Sequence, residues 1–365
     1  MRIPSPWLLL AFFLPLIATA AEPRKTQLVI FVSADGVRWQ DVFRGADESL
    51  MNKDAGGIRG TPNALRRKRW RPDANASRKI LMPFLWSKVA AEGQVWGNRD
   101  AGSVCDVLND QNFSYPGYSE FLCGHVDPRI KSNDPIPNEN VTVIEWLHGR
   151  GATKGRVGAV NCWTVLQAII NQERSKIPMW TVGFPTPDAW VSPITDQIDE
   201  LSRITPVPWS DTTWDSFVYT VAKDVLTRTK PKVLYVNFGE PDEWAHAMRY
   251  DRYLDAVNNV DTFLAGLWDA AQAIPEYRGA TTLIVTTDHG RGTGAKTWTS
   301  HGASIPESRE TWFAALGPDI AALGERRDVP AQKTAGAAAT IAAVIGEDWN
   351  AAEPRAAAPW PILEH

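Results

Sequence analysis

Cysteine is scarce in this sequence, with three in 365 residues: Cys105, Cys123 and Cys162. That count excludes a disulfide-stapled scaffold, and no Cys spacing has the form of a zinc knuckle. One bridge, Cys105–Cys123, is conceivable; buried free thiols are the blander alternative. A charge excess is also missing. The net charge is −4, so no basic field points to a nucleic-acid polymer. The one basic cluster, Arg66-Arg67-Lys68-Arg69, reads as a solvated helix face or loop. Long apolar runs are absent too. The longest, Trp7 to Ile17, falls short of the ~20 residues that cross a bilayer, and Pro15 interrupts it. It follows Arg2 and precedes Ala18-Thr19-Ala20. This is the pattern of a secretory signal peptide over residues 1–20, which leaves a mature chain, periplasmic or secreted, with no membrane span. Histidine is sparse as well, at six, so the places where it falls carry information.

What is present reads as one globular α/β domain over residues 21–365, with 44% hydrophobic residues to fill a core. Continuous apolar runs at Gln27–Asp35, Lys232–Phe238 and Thr281–Thr287 have the look of fully buried strands, and Val157–Trp163 and Thr311–Gly317 of further ones. Helical patterns fall between them, at Thr213–Thr229, Tyr250–Ile274 and Thr334–Ile345. Strands alternating with helices predict a mostly parallel central sheet with helices on both faces. Residues 44–80 read as a peripheral helical excursion. The Pro- and Trp-rich stretch 171–210 reads as irregular structure over one end of the sheet, and the tail Ala351–Pro361 as surface.

Three of the strands end on groups that bind metals: Asp35 after the first, Asp242 and His246 after the second, Asp288 and His289 after the third. In open α/β sheets such groups converge at the carboxyl edge. The i, i+4 spacing of Asp242 and His246 puts both on one face of a helical turn. His301, in a second His-Gly pair twelve residues after His289, completes three carboxylates and three imidazoles. That is enough for two divalent cations with three protein ligands each, a pairing that can clamp the attacking and leaving oxygens of a displacement. Singly, each residue would more often be a cap or a hydrogen-bonded core group; three of six histidines in one pattern favour metal. Ser114, in Asn112-Phe-Ser-Tyr-Pro116-Gly-Tyr118, would stand near the N-cap of a short helix, where the dipole favours an anion.

In this order, SADG, FSYPGY, EPDEWAH, TTDHG and SHG resemble the alkaline phosphatase superfamily over nearly the whole mature chain, and within it the type I phosphodiesterase/nucleotide pyrophosphatase branch. The resemblance implies a three-layer αβα sandwich and a covalent phosphoserine on Ser114. It also implies one metal held by Asp35, Ser114, Asp288 and His289 and another by Asp242, His246 and His301. Zinc suits mixed Asp/His ligation, with manganese the alternative. The expected substrate is a small phosphate mono- or diester. Asn133 lies near the position where that branch holds a phosphate oxygen, and Arg291 and Lys296 could contact an anionic substrate. Ser114-Tyr-Pro-Gly stands where the branch has Thr-Phe-Pro-Asn. Ser-x-Pro lacks the Arg of the sulfatase signature. A sulfatase-like or phosphonate hydrolase, or an exported metal-binding protein without activity, are the competing readings.

Overall fold

The computed structural model describes residues 23–363; the signal-peptide stretch 1–20 lies outside them. Eleven strands form in chain order: β1 Leu28–Ala34, β2 Gln94–Trp96, β3 Cys105–Asp106, β4 Val157–Asn161, β5 Met179–Thr181, β6 Val233–Phe238, β7 Thr281–Thr286, β8 Glu310–Thr311, β9 Phe313–Leu316, β10 Gly324–Glu325 and β11 Gln332–Lys333. Eight of them make one sheet in the order β10-β2-β9-β7-β1-β6-β4-β5, and β11-β3-β8 make a small second one. β1 runs parallel to both β6 and β7, and only β9 opposes its neighbours in the large sheet. The three most apolar runs therefore sit side by side at the centre. Each is buried along its whole length, as strands covered on both faces must be.

Side chains alternate across a strand, so Tyr235 and Phe238 of β6 face opposite layers. Tyr235 and its β1 neighbour Phe31 meet Phe121 of the helix Ser114–Cys123, while Phe238 meets Phe263 of the helix Tyr250–Ala273. Helices 143–148 and 336–343 join the first layer, and helix Asp215–Thr229 the second. The result is the three-layer arrangement expected from the sequence, a mostly parallel sheet with helices on both faces.

Three expectations need correction. The stretch 171–210 is not irregular: it supplies the edge strand β5 and the helix Pro193–Ile204, which opens on a Ser192/Thr195 capping box. Pro193 at the first helical turn begins that helix rather than breaking it. The tail is not all surface. Trp360 is 2% exposed, stacks on Phe313 of β9 at 3.8 Å, and donates its indole N–H to the Lys333 carbonyl at 2.7 Å. Nor does the Arg66–Arg69 cluster only face solvent: Arg69 is buried against Asp255. Cys105, Cys123 and Cys162 are all free and buried. Among the described residues no helix is long and apolar enough to cross a membrane.

Candidate metal centre and cleft

The central strands deliver their terminal residues to one edge. Asp35 follows β1 directly, and Gly36 turns the chain with φ +60°. A Cβ on Gly36 would lie 2.4 Å from Asp242 Oδ1, so only glycine lets the helix after β6 approach this closely. That helix, Glu240–His246, is fixed by a reciprocal cap. Asp215 accepts from the N–H of Gly239 (2.8 Å) and of Glu240 (3.0 Å), while Glu240 Oε1 accepts from the N–H of Asp215 (2.9 Å). Two helix starts thus satisfy each other's orphan donors, and Asp242 and His246 project one turn apart. Asp288 and His289 follow β7. The loop carrying His301 is tied in where the Gly302 N–H donates to the Asn112 carbonyl at 3.0 Å.

Ser114 is the first residue of its helix, with Phe113 as N-cap. The preceding loop is organised from below by Glu120, fully buried, which accepts from the Leu108 and Asn109 backbones and from Asn109 Nδ2 at 2.8 Å. Asn109 Oδ1 in turn accepts from the N–H of Asn112 at 2.9 Å. Gly117 brings the helix onto the Asp288 backbone: a Cβ there would be 2.3 Å from the Asp288 carbonyl oxygen.

The six predicted ligands form two clusters, Asp35/Asp288/His289 and Asp242/His246/His301, each with its ligand atoms within 4.8 Å of one another. In the first, His289 Nε2 lies 3.3 Å from Asp35 Oδ1, 3.4 Å from Asp288 Oδ2 and 3.4 Å from Ser114 Oγ. His289 Nδ1 pairs with the Gly290 carbonyl at 2.8 Å, which fixes the proton there and turns the Nε2 lone pair inward. Asp35 Oδ1 and Asp288 Oδ2 are buried and have no hydrogen-bond partner. Buried carboxylate oxygens are normally paired; these two converge on an imidazole lone pair, so a divalent cation is the partner they fit. In the second cluster His246 Nε2 is 3.0 Å from Asp242 Oδ2 and 2.9 Å from His301 Nε2. The two clusters adjoin, since His289 and His301 stack with centroids 4.0 Å apart.

The electrostatics agree with that fit. Burial, then the Asp242 charge, raises Asp35 well above the usual carboxylate range; burial, then Asp35, does the same for Asp288. Burial works on Asp242 in the same direction, but Arg291 and the neighbouring imidazoles hold it well below that range. Burial, then His289, depresses His301 to about 2, which keeps it a neutral imidazole, the form that ligates. Carboxylates this crowded and dry need positive charge nearby.

The three expected substrate contacts separate. Asn133 lines the cleft beside Ser114, and its Oδ1 accepts from the Tyr115 N–H at 2.9 Å, leaving the amide N–H groups as donors. Arg291 is buried instead of facing the cleft. It donates to Asp242 Oδ1 and to the carbonyls of Trp298 (3.1 Å) and Thr299 (2.6 Å). Lys296, in the short helix Gly294–Thr297, is exposed and is not on the cleft wall.

Sequence reasoning passed over several residues here. Tyr118 donates to Asp35 Oδ2 at 2.9 Å and accepts from Asn237 Nδ2 at 2.6 Å, a chain that orients the carboxylate. Its i+4 spacing from Ser114 was the available signal. The cleft, ≈ 220 Å³, continues past Ser114 to a wall of Trp163, Asp211, Thr212 and Glu243. Burial, then Asp242, raises the Glu243 carboxyl to about 7. Nothing local in the sequence links residues 163 and 211–212, which meet as an isolated antiparallel bridge between Trp163 and Thr212.

Residues 210–306 match the model of the Metalloenzyme superfamily, a segment that holds Asp242, His246, Asp288, His289 and His301. The alkaline phosphatase PafA is similar in fold, with a TM-score of 0.59 at 10% identity over 95% of this chain and 100% of that chain. Ps i-CgsB, solved with k-i-k-neocarrahexaose, gives 0.55 at 14% identity over 88% and 72%. The lipoteichoic acid synthase LtaP of Listeria monocytogenes gives 0.53 at 8% identity over 89% and 73%. No curated protein matches the sequence. At these identities the structural likeness is one of fold.

Proposed function

We infer that this chain, whose 210–306 segment is that of the Metalloenzyme superfamily on an alkaline phosphatase-like fold, is a two-metal hydrolase of phosphate mono- or diesters with Ser114 as nucleophile. The carrying observation is Ser114 Oγ, 3.4 Å from His289 Nε2 and beside two unpartnered buried carboxylate oxygens. Asp35, Asp288, His289 and Ser114 would hold one ion, and Asp242, His246 and His301 the other. Such ions, zinc by the donor set, lower the pKa of a nearby hydroxyl and offset charge on the transferring group.

Ser114 Oγ forms the bond to phosphorus as the bond to the leaving alcohol breaks, and a water later displaces the serine, so one water is consumed per ester. Asn133 offers its amide N–H groups to a non-bridging oxygen, and the first turn of the Ser114–Cys123 helix favours the same negative charge. Tyr118 keeps Asp35 oriented. The exported location read from residues 1–20 belongs to this proposal, as does a single catalytic domain over 21–365; secreted protein should begin at Ala21.

The test is turnover of p-nitrophenyl phosphate, its bis ester and p-nitrophenyl sulfate by the zinc- and manganese-loaded enzyme. Phosphate esters should turn over, and Ser114→Ala should abolish that while leaving metal content near normal. Undiminished activity of Ser114→Ala would overturn the mechanism, and a preference for the sulfate would move the substrate class.

A further inference from the structure

The cleft has two unlike ends. Its floor holds the partnerless Asp35 Oδ1 beside Ser114, so an ester held for attack there must send its alcohol along the remaining wall. That wall is aromatic and acidic. Trp163 donates its indole N–H to Asp211 Oδ2 at 2.8 Å, and the Thr212 hydroxyl donates to Glu243 Oε1 at 3.1 Å. The segments are pinned together by the Thr164 N–H to the Asp211 carbonyl (3.0 Å) and the Thr213 N–H to the Cys162 carbonyl (3.1 Å). The wall is therefore built before any ligand arrives.

Charge on this wall is one-sided. Among the described residues no Lys or Arg lines the cleft, and neither Asp211 nor Glu243 forms an ion pair. Asp242 already has Arg291 as its partner. Asp211, a carboxylate without a cation beside an indole, repels a leaving group that carries a second phosphate or carboxylate, and the Glu243 carboxyl adds acceptor oxygens to the same wall. They suit a positive one, which a tryptophan face also attracts. The volume, ≈ 220 Å³, is below the ~300–1,000 Å³ of drug-sized sites, so the group is small.

Resting on the hydrolase reading above, we propose that the substrates are phosphate esters of small cationic amino alcohols, with the ammonium seated against Trp163, Asp211 and Glu243. The ester bond is broken as already described; the ammonium takes no part in the chemistry and serves only recognition. Nucleotides and sugar bisphosphates are the wrong charge for this wall.

The experiment compares choline phosphate with its uncharged isostere 3,3-dimethylbutyl phosphate, each as monoester and as methyl diester, on the zinc-loaded full chain. In the wild type kcat/KM should favour the cation by about tenfold or more, the scale of ~1.4 kcal/mol. Asp211→Asn and Glu243→Gln should each bring that ratio below about threefold. Because the ratio is internal to each enzyme, partial misfolding does not disguise it. Choline should also inhibit wild-type turnover of p-nitrophenyl phosphate where 3,3-dimethylbutanol does not. A ratio near one, or a preference for an anionic ester, with p-nitrophenyl phosphate still turned over, overturns this inference and leaves the hydrolase reading standing. No turnover of any ester removes both.

Discussion

Gly117 gives the sharpest test of how the Ser114 helix is placed. It lies in the helical interior and its backbone needs no left-handed conformation, so alanine is conformationally welcome there and gains about 1 kcal/mol of helix propensity. The obstacle is steric. The added Cβ would sit 2.3 Å from the Asp288 carbonyl oxygen and 3.0 Å from its carbon. Restoring ordinary contact requires the helix and the Asp288–His289 backbone to part by about 1 Å, and overpacking of this kind costs ~1–3 kcal/mol. Propensity offsets part of that, so Gly117→Ala should lose at most about 2 kcal/mol of stability. Activity should suffer far more, because a misplacement of about 1 Å between nucleophile and ligands lowers turnover by roughly 10²-fold. Urea unfolding measures the first quantity, and kcat/KM for p-nitrophenyl phosphate in saturating zinc the second. Activity within about threefold of wild type would refute the reasoning, since the close approach would then not set the position of Ser114.

Three further outcomes follow from the same geometry. His289→Ala and His301→Ala should each bind one metal ion fewer per chain than wild type by elemental analysis; loss of neither ion would separate these imidazoles from the metal sites. Asp215→Ala strips the cap from Gly239 and Glu240, and leaving those buried donors open should cost ~2–4 kcal/mol in urea unfolding. An unchanged midpoint would mean the helix Glu240–His246 is held by other contacts. Asp261, 1% exposed and accepting from the Phe84 and Leu85 N–H groups, is raised by burial to about 7. Its folded form thus binds a proton that the unfolded chain releases near 4. That contribution is full below the unfolded value and is lost as pH rises through about 7. The stability of Asp261→Asn relative to wild type should rise by roughly 3 kcal/mol between pH 5 and pH 8.5; an equal gap at both would contradict the assignment.

Much of this site was legible because it follows from chain direction. β1, β6 and β7 are buried on both faces, so they read as unbroken apolar runs, and parallel strands must present their terminal residues at one edge. Asp35, Asp242 and Asp288 could be grouped on that basis alone. What the sequence hid depends on contacts between distant segments. Arg291 follows the Asp288-His289 pair and is open to a substrate role until the fold shows its guanidinium on Asp242 and the 298–299 carbonyls. The Trp163–Thr212 bridge joins residues that carry no mutual signal. Pro193, in a stretch whose composition reads as irregular, is a helix start. Trp360 sat in an Ala/Pro-rich tail whose composition concealed its stacking on Phe313.

The central claim is a covalent step at Ser114, and it can be observed directly. The zinc-loaded enzyme is mixed with excess p-nitrophenyl phosphate, quenched in acid during steady turnover, digested and examined by mass spectrometry. A phosphorylated peptide should appear with the added mass on Ser114, and it should be absent from Ser114→Ala treated in the same way. Steady hydrolysis with no phosphate on any peptide, or with phosphate on a different residue, would contradict the account.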